Sequence, residues 1–232
     1  MKIEIRAHEL ADMMERLPEG VTTLSLDCFD TLLWRTVNTP RDVFAALGLP
    51  GGGVELRLWS EQGAYRTARN RGERRVTLHD IYRHMLPRAG ETEVDRRVAH
   101  ELSLEARHCF AFAPTVELMR RAKTRGLEVV IVSDMYLSHA QLCALIAEAA
   151  GEDVLALADR VYVSSEYGCG KAEGLFDHVL ADIGRRPDQV LHIGDNPQAD
   201  YHAADQWGLH AVLLKQFDAE AEQRLRMGPR RR

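Results

Sequence analysis

The order in which apolar runs and helix-patterned stretches follow one another constrains this chain more than any other feature. Five short apolar runs, at residues 21–26, 127–132, 160–163, 190–193 and 209–214, are bounded by charged residues, glycine or proline and read as buried strands. Helical patterns stand between or after them at 115–124, 138–149, 172–183 and 198–207. Gly126, Gly184 and Gly208 closely follow three of these helices, where a left-handed C-terminal residue costs least. Strands alternating with helices of this length require right-handed crossovers and a parallel sheet covered on both faces. The expected fold is therefore α/β, with a Rossmann-like parallel sheet.

Residues 35–113 break that rhythm. They contain no convincing strand pattern, but helical patterns at 41–47, 55–70, 78–86 and 93–109. Gly51-Gly52-Gly53 and the stretch from Pro87 to Gly90 punctuate them as loops. The economical reading is an all-helical cap at 35–113 inserted after the first core strand, the core being made of 1–34 and 114–232. From Arg57 to Arg107 there are eleven arginines against eight acidic residues. A solvated helical surface accounts for this, and a mildly basic lid over an anionic substrate is the sharper alternative.

The chain's formal charge of −5 argues against a general nucleic-acid binder. The basic end, Arg224 to Arg232, reads as a solvated tail. No stretch approaches the roughly 18 uninterrupted apolar residues of a membrane span, and Met1 to Arg6 lacks the apolar run of a secretory signal. Cys28, Cys109, Cys143 and Cys169 have no CxxC spacing and read as reduced thiols. These features predict a cytoplasmic protein with neither membrane nor nucleic-acid partner.

In an open parallel α/β sheet, ligands bind beyond the carboxyl ends of the strands, so the polar residues that end each strand carry the functional reading. The first strand runs Leu24-Ser25-Leu26 into Asp27-Cys28-Phe29-Asp30-Thr31-Leu32. A carboxylate there serves as a nucleophile or a Mg2+ ligand, or simply ends a strand at a turn. The second ends Val129-Val130-Ile131-Val132-Ser133-Asp134. Its Ser133 hydroxyl suits a phosphate oxygen, although Ser-Asp is also a common helix entry. A polar, glycine-containing loop at 164–171 then leads into a helix with Lys171 at its start. The helix dipole disfavours a cation there, which favours a functional charge able to neutralise a phosphate or a carboxylate. The last motif is His192-Ile193-Gly194-Asp195-Asn196-Pro197-Gln198-Ala199-Asp200. Asp195 ends a strand and Asp200 lies inside the next helix, so both can reach one hard cation and complete a site begun by Asp27.

Four such motifs in this order resemble those of the haloacid dehalogenase superfamily of hydrolases, over residues 20–34 and 113–214. The segment between the first two is similar in position to that family's helical cap. The resemblance implies that Asp27 attacks phosphorus to form an aspartyl-phosphate, and that Ser133 and Lys171 hold the transferring group. It further implies a Mg2+ site made by Asp27, Asp195, Asp200 and the Phe29 backbone carbonyl, and a small phosphorylated substrate. Arg35, Arg66 and Arg69 are the candidate substrate-facing arginines of the cap.

One departure stands out. Most phosphatases of that family carry a second Asp two residues after the nucleophile as general acid and base; this chain has Phe29 there and Asp30 one position later. General acid–base help is worth about 10²- to 10⁴-fold in rate, or roughly 3 to 5 kcal/mol. Asp30 or a cap histidine (His79, His84, His108) is left to supply the proton, unless the leaving group needs none or the phosphate passes to an acceptor. Dehalogenases of the family also lack the second Asp, and a phosphate-binding domain without turnover is the remaining alternative.

Overall fold

The computed structural model describes residues 1–49 and 53–216; Gly51, Gly52 and the basic run from Arg224 lie outside them. Along the chain come β1 (Lys2–Arg6), a 3-10 helix (Ala7–Met14), β2 (Thr23–Leu26), β3 (Leu33–Arg35), α1 (Pro40–Ala45), α2 (Gly53–Asn70), α3 (Leu78–Met85), α4 (Glu91–His108) and β4 (Cys109–Ala111). There follow α5 (Ala113–Thr124), β5 (Glu128–Ser133), α6 (His139–Ala150), α7 (Glu152–Leu155), β6 (Arg160–Val163), α8 (Ser164–Tyr167), α9 (Leu175–Ile183), β7 (Val190–Gly194), α10 (Ala203–Gln206) and β8 (His210–Lys215).

Six strands form one sheet in the order β1-β8-β7-β2-β5-β6, every pairing parallel. Both faces are covered, and β5 shows how. Its Val129 and Ile131 belong to the core that includes α5 and α6, whereas Val130 and Val132 belong to the core that includes α9 and α10. Side chains alternate across a strand, so a strand buried on both faces is apolar at most positions rather than at every second one. That is why the central runs were visible in the sequence. Gly126, Gly184 and Gly208 take the left-handed φ values (76°, 64° and 82°) expected of them.

Two details differ from expectation. β1 was not foreseen: it pairs only with β8, at the sheet edge, and of Lys2-Ile3-Glu4-Ile5-Arg6 only Ile5 is buried. A half-wet edge strand needs no apolar run. The strand before Asp27 is therefore second along the chain, yet lies within the sheet between β7 and β5. Nor is the segment 35–113 free of strand, because β3 and β4 form an antiparallel ribbon pairing Arg35 with Cys109 and Trp34 with Phe110. Three-residue strands are too short to display a period; here the Trp34 and Phe112 rings stack 3.8 Å apart.

Between β3 and β4 lie four helices, α1 to α4, near the expected positions. Their starts are written locally. Thr39 and Asp42 form a capping box around Pro40, and Thr77 with Asp80 does the same for α3. A backbone bond from Leu78 to the Tyr136 carbonyl, 2.9 Å, ties α3 to the loop after β5.

Candidate active site

Because β7, β2 and β5 are neighbours, their carboxyl ends deliver Asp195, Asp27 and Ser133 to one crevice. A cavity of about 580 Å3 opens there, and Asp27, Phe29, Ser133, Lys171, Asp195 and Asp200 all line it. Every residue picked as catalytic or metal-binding thus meets in one place. Ligand oxygens of Asp27, Asp195 and Asp200 lie within 4.8 Å of one another.

Lys171 holds the centre. It begins a short 3-10 turn rather than α9 itself, Gly174 intervening at φ 127°. Its backbone N–H donates to the Asp134 carboxylate at 2.9 Å, which anchors the turn to the end of β5. The side chain is almost wholly buried and donates to Asp27 Oδ1 at 2.5 Å and to Asp200 Oδ1. Burial works against its charge, but Asp27, Asp200 and Asp134 outweigh that and push its pKa up.

Asp200 is placed by an irregular turn. Pro197 to His202 wind as a π-helical turn capped by the Asn196 side chain, which accepts from the Gln198 and Ala199 amides. Such widened turns recur at functional sites. The turn drives Asp200 against Gly194, where an added Cβ would stand 2.2 Å from the Asp200 Cγ. Only glycine permits this approach. Both Asp200 oxygens are engaged: Oδ1 by Lys171 and by His192 Nε2 at 3.1 Å, Oδ2 by the Asn196 amide at 2.9 Å. Burial favours the neutral acid, yet Lys171 and His192 hold Asp200 well below the usual carboxylate range.

Asp27 and Asp195 stand differently. Burial pushes the Asp27 carboxyl well up; Lys171 opposes this, and Asp200 and Asp195 add to it. Burial, reinforced by Asp200 and Asp30, pushes Asp195 up to about 7. Among the described residues no side chain donates a hydrogen bond to Asp195. Three crowded carboxylates share one lysine and retain a surplus of negative charge.

The Arg35 guanidinium lies over the Phe29 ring, 4.5 Å from its centroid. Asp30 adopts a left-handed φ of 57°, and its carboxylate accepts from Arg35 Nη1 at 3.0 Å. Arg35 Nε donates to the buried Glu105 at 2.7 Å. Arg35 and Asp30 line the cavity, but the other candidates do not. Arg66 lines a separate hollow with Trp59, and exposed Arg69 lines neither. His79 pairs with Asp95 at 3.2 Å, and His108 faces Thr36 at 3.3 Å. His84 packs against Gly63. Helical pattern alone does not tell which face of α2 meets the crevice.

Two residues escaped sequence reasoning. His192, in the middle of β7, bonds Ser25 Oγ at 2.7 Å through Nδ1 and Asp200 through Nε2. Burial lowers its pKa, so it is a neutral ring that donates to Asp200 and accepts from Ser25, a tautomer assigned from this network. A serine and a histidine inside two neighbouring buried strands, Ser25 and His192, were the available signal. Arg57, counted among solvated arginines, is fully buried. It donates to Glu101 at 2.9 and 2.8 Å and to Glu61 at 2.9 Å, and lies over the Phe44 and Tyr136 rings that wall the cavity.

Comparison with known proteins bears on the fold and the family. A phosphoserine phosphatase of Thermus thermophilus is 29% identical over 154 residues, covering 64% of this chain and 60% of that protein. The chain thus spans less than two thirds of that relative's length. The L-2-haloacid dehalogenase of Xanthobacter autotrophicus superposes with a TM-score of 0.63 at 16% identity, covering 91% of this chain and 85% of that one. A haloacid dehalogenase family enzyme of Bacteroides thetaiotaomicron gives 0.61 at 14%, covering 88% and 99%. At such identities the structures establish the fold alone. The family model of haloacid dehalogenase-like hydrolases matches residues 21–208, and the chain belongs to that family of hydrolases.

Proposed function

We propose that this hydrolase is a Mg2+-dependent phosphatase of small phosphate esters whose nucleophile is the Asp27 carboxylate. The observation that carries this reading is the set of three carboxylates within 4.8 Å around one buried lysine, at the floor of a cavity. Such an all-oxygen, negatively surplus set suits a hard divalent cation. Asp27, Asp195 and the Phe29 carbonyl would hold it, backed by Asp200, whose oxygens are already engaged. When bound, Mg2+ supplies the positive charge that favours ionised Asp27 and offsets charge on the phosphoryl oxygens.

The chain's own groups do the rest. The free Asp27 oxygen attacks phosphorus as the ester oxygen leaves, and water then cleaves the aspartyl-phosphate. Lys171 and the Ser133 hydroxyl hold the transferring oxygens in line. Residues 35–113 act as the cap that covers the crevice and excludes water, on a core of 1–34 and 114–232. The Thermus relative, a phosphoserine phosphatase by name, supports a small phosphorylated substrate. Phe29 gives the leaving group no proton, so rates should climb steeply with leaving-group acidity.

A panel of aryl and alkyl phosphates, with Mg2+ and with chelator, tests this reading. Metal-dependent turnover that Asp27→Asn abolishes, with unchanged thermal unfolding, is the expected result. Turnover that survives Asp27→Asn, or survives chelation, overturns it.

A further inference from the structure

The cavity is larger than a phosphoryl group needs, and its charges are unevenly matched. Three cations line it: Lys171, Arg35 and Arg41. Lys171 is committed to Asp27 and Asp200, and Arg35 to Asp30 and Glu105. Glu61, a further acid on the wall, is taken up by Arg57 at 2.9 Å. Arg41 differs. Among the described residues this exposed side chain has neither a hydrogen bond nor an ion pair, although it lines a cavity to which seven residues bring carboxylates.

Its backbone is nonetheless fixed. Thr39 and Asp42 close the capping box with bonds of 2.8 and 3.1 Å, and Pro40 sets the first turn of α1. Val43 and Phe44 bury the other side of that helix, and Phe44 is pinned beneath the Arg57 guanidinium, 4.6 Å from its ring. A cation in the first helical turn forgoes favourable interaction with the helix ends. Local logic would place an acid there.

We propose that Arg41 binds a second anionic group of the substrate, carried on the leaving-group side. The substrates are then phosphate esters bearing a carboxylate or a second phosphate, with a compact body lying against Phe44, Leu58 and Tyr136. A guanidinium on a rigid helix start, with its donor fork uncommitted, matches either oxyanion. The inference rests on the phosphatase reading above, since the reacting phosphoryl group sets which end of the substrate faces Arg41.

The test uses aryl phosphates of nearly equal leaving-group acidity: 4-chlorophenyl, 4-carboxyphenyl and 4-phosphonophenyl phosphate. Wild type should favour the doubly anionic members by about ten- to a hundredfold in kcat/KM, the worth of a charged hydrogen bond. The preference should lie in KM and shrink as salt is raised. Arg41→Gln should bring the ratio near one, and Arg41→Lys should keep part of it. The two charged arms tell a carboxylate preference from a phosphate one. In parallel, calorimetry compares phosphonoacetate with methylphosphonate, neither of which can be cleaved as an ester. Equal use of charged and neutral substrates by wild type, or a ratio unmoved in Arg41→Gln, overturns the proposal. If no ester turns over but phosphonoacetate binding still depends on Arg41, the phosphatase reading fails and the anion subsite stands. If neither turnover nor such binding is seen, both fall.

Discussion

Lys171 and Arg57 are both buried cations, each set between two carboxylates, yet they do different things. Arg57 lies among the helices of the insert with its planar fork filled by Glu101 and Glu61, and Glu101 is further satisfied by the Tyr82 hydroxyl at 2.7 Å. Donor and acceptor demands close on themselves. Lys171 is a point charge at the floor of an open cavity, facing Asp27, Asp195 and Asp200 together. Its set does not close: one lysine bonds two of three clustered acids, and among the described residues Asp195 receives no side-chain donor. A completed buried ion pair is scaffolding; an unfinished one is what the proposed cation and substrate would complete.

The comparison breaks most easily at Lys171. Lys171→Met should lower kcat by about 10²- to 10³-fold, as loss of a preorganised charge at a reacting group does. Steady-state rates near wild type would put Lys171 on the same footing as Arg57. Next comes Arg57→Met, which leaves Glu101 buried without its cation and should cost about 3–5 kcal/mol in denaturant unfolding. Adding Glu101→Leu should recover most of that loss, since a well-packed apolar pair replaces a buried ion pair at little cost. Failure to recover would mean that the charge itself organises the helices α1 to α4.

Asp195 sharpens the contrast through pH. Its folded pKa, about 7, lies above the ordinary carboxylate value of 3.8. The metal-free native state therefore holds a proton that the unfolded chain has released. Asp195's contribution to stability is fully present below about pH 4 and is lost as pH rises towards 7, with a slope of up to roughly 1.4 kcal/mol per pH unit. Asp195→Asn should flatten that slope, and Mg2+ at pH 7 should raise the Tm of wild type but not of the variant. A slope unchanged by the substitution would remove Asp195 from the unfinished set. The smallest effects belong to Arg66→Ala and Arg69→Ala. Both side chains are exposed and outside the cavity, so kinetics should hold and stability should move by less than about 0.5 kcal/mol.

Legibility followed burial. β5 and β7 are packed on both faces and largely apolar, and β2 alternates Leu24 and Leu26 with small buried Thr23 and Ser25, so their runs could be seen and the polar residues at their tips stood out as a site. Edge strand β1 and the β3–β4 ribbon carry no comparable pattern, because one-sided packing or a length of three residues leaves no period to detect. On α2, eight residues separate Arg57 from Tyr65 and nine from Arg66, yet Arg57 is fully buried and both others are exposed. The sequence shows the helix but not which neighbour each face meets.

What the sequence determined by itself is local chemistry and order: which residues end strands, and where helices start and stop. Those properties depend on neighbours in the chain, whose dihedral and side-chain preferences act over a few residues. Only the tertiary structure decided the pairings. Lys171 meets Asp27 across 144 positions, Arg57 meets Glu101 across 44, and Arg35 is drawn over Phe29 by a ribbon closed against Cys109. A side chain's charge state and donor count are written in its type, but whether that demand is met depends on what packing places beside it. Arg57 is satisfied by that packing, whereas Asp195 and Arg41 line the cavity with no side-chain hydrogen bond or ion pair among the described residues.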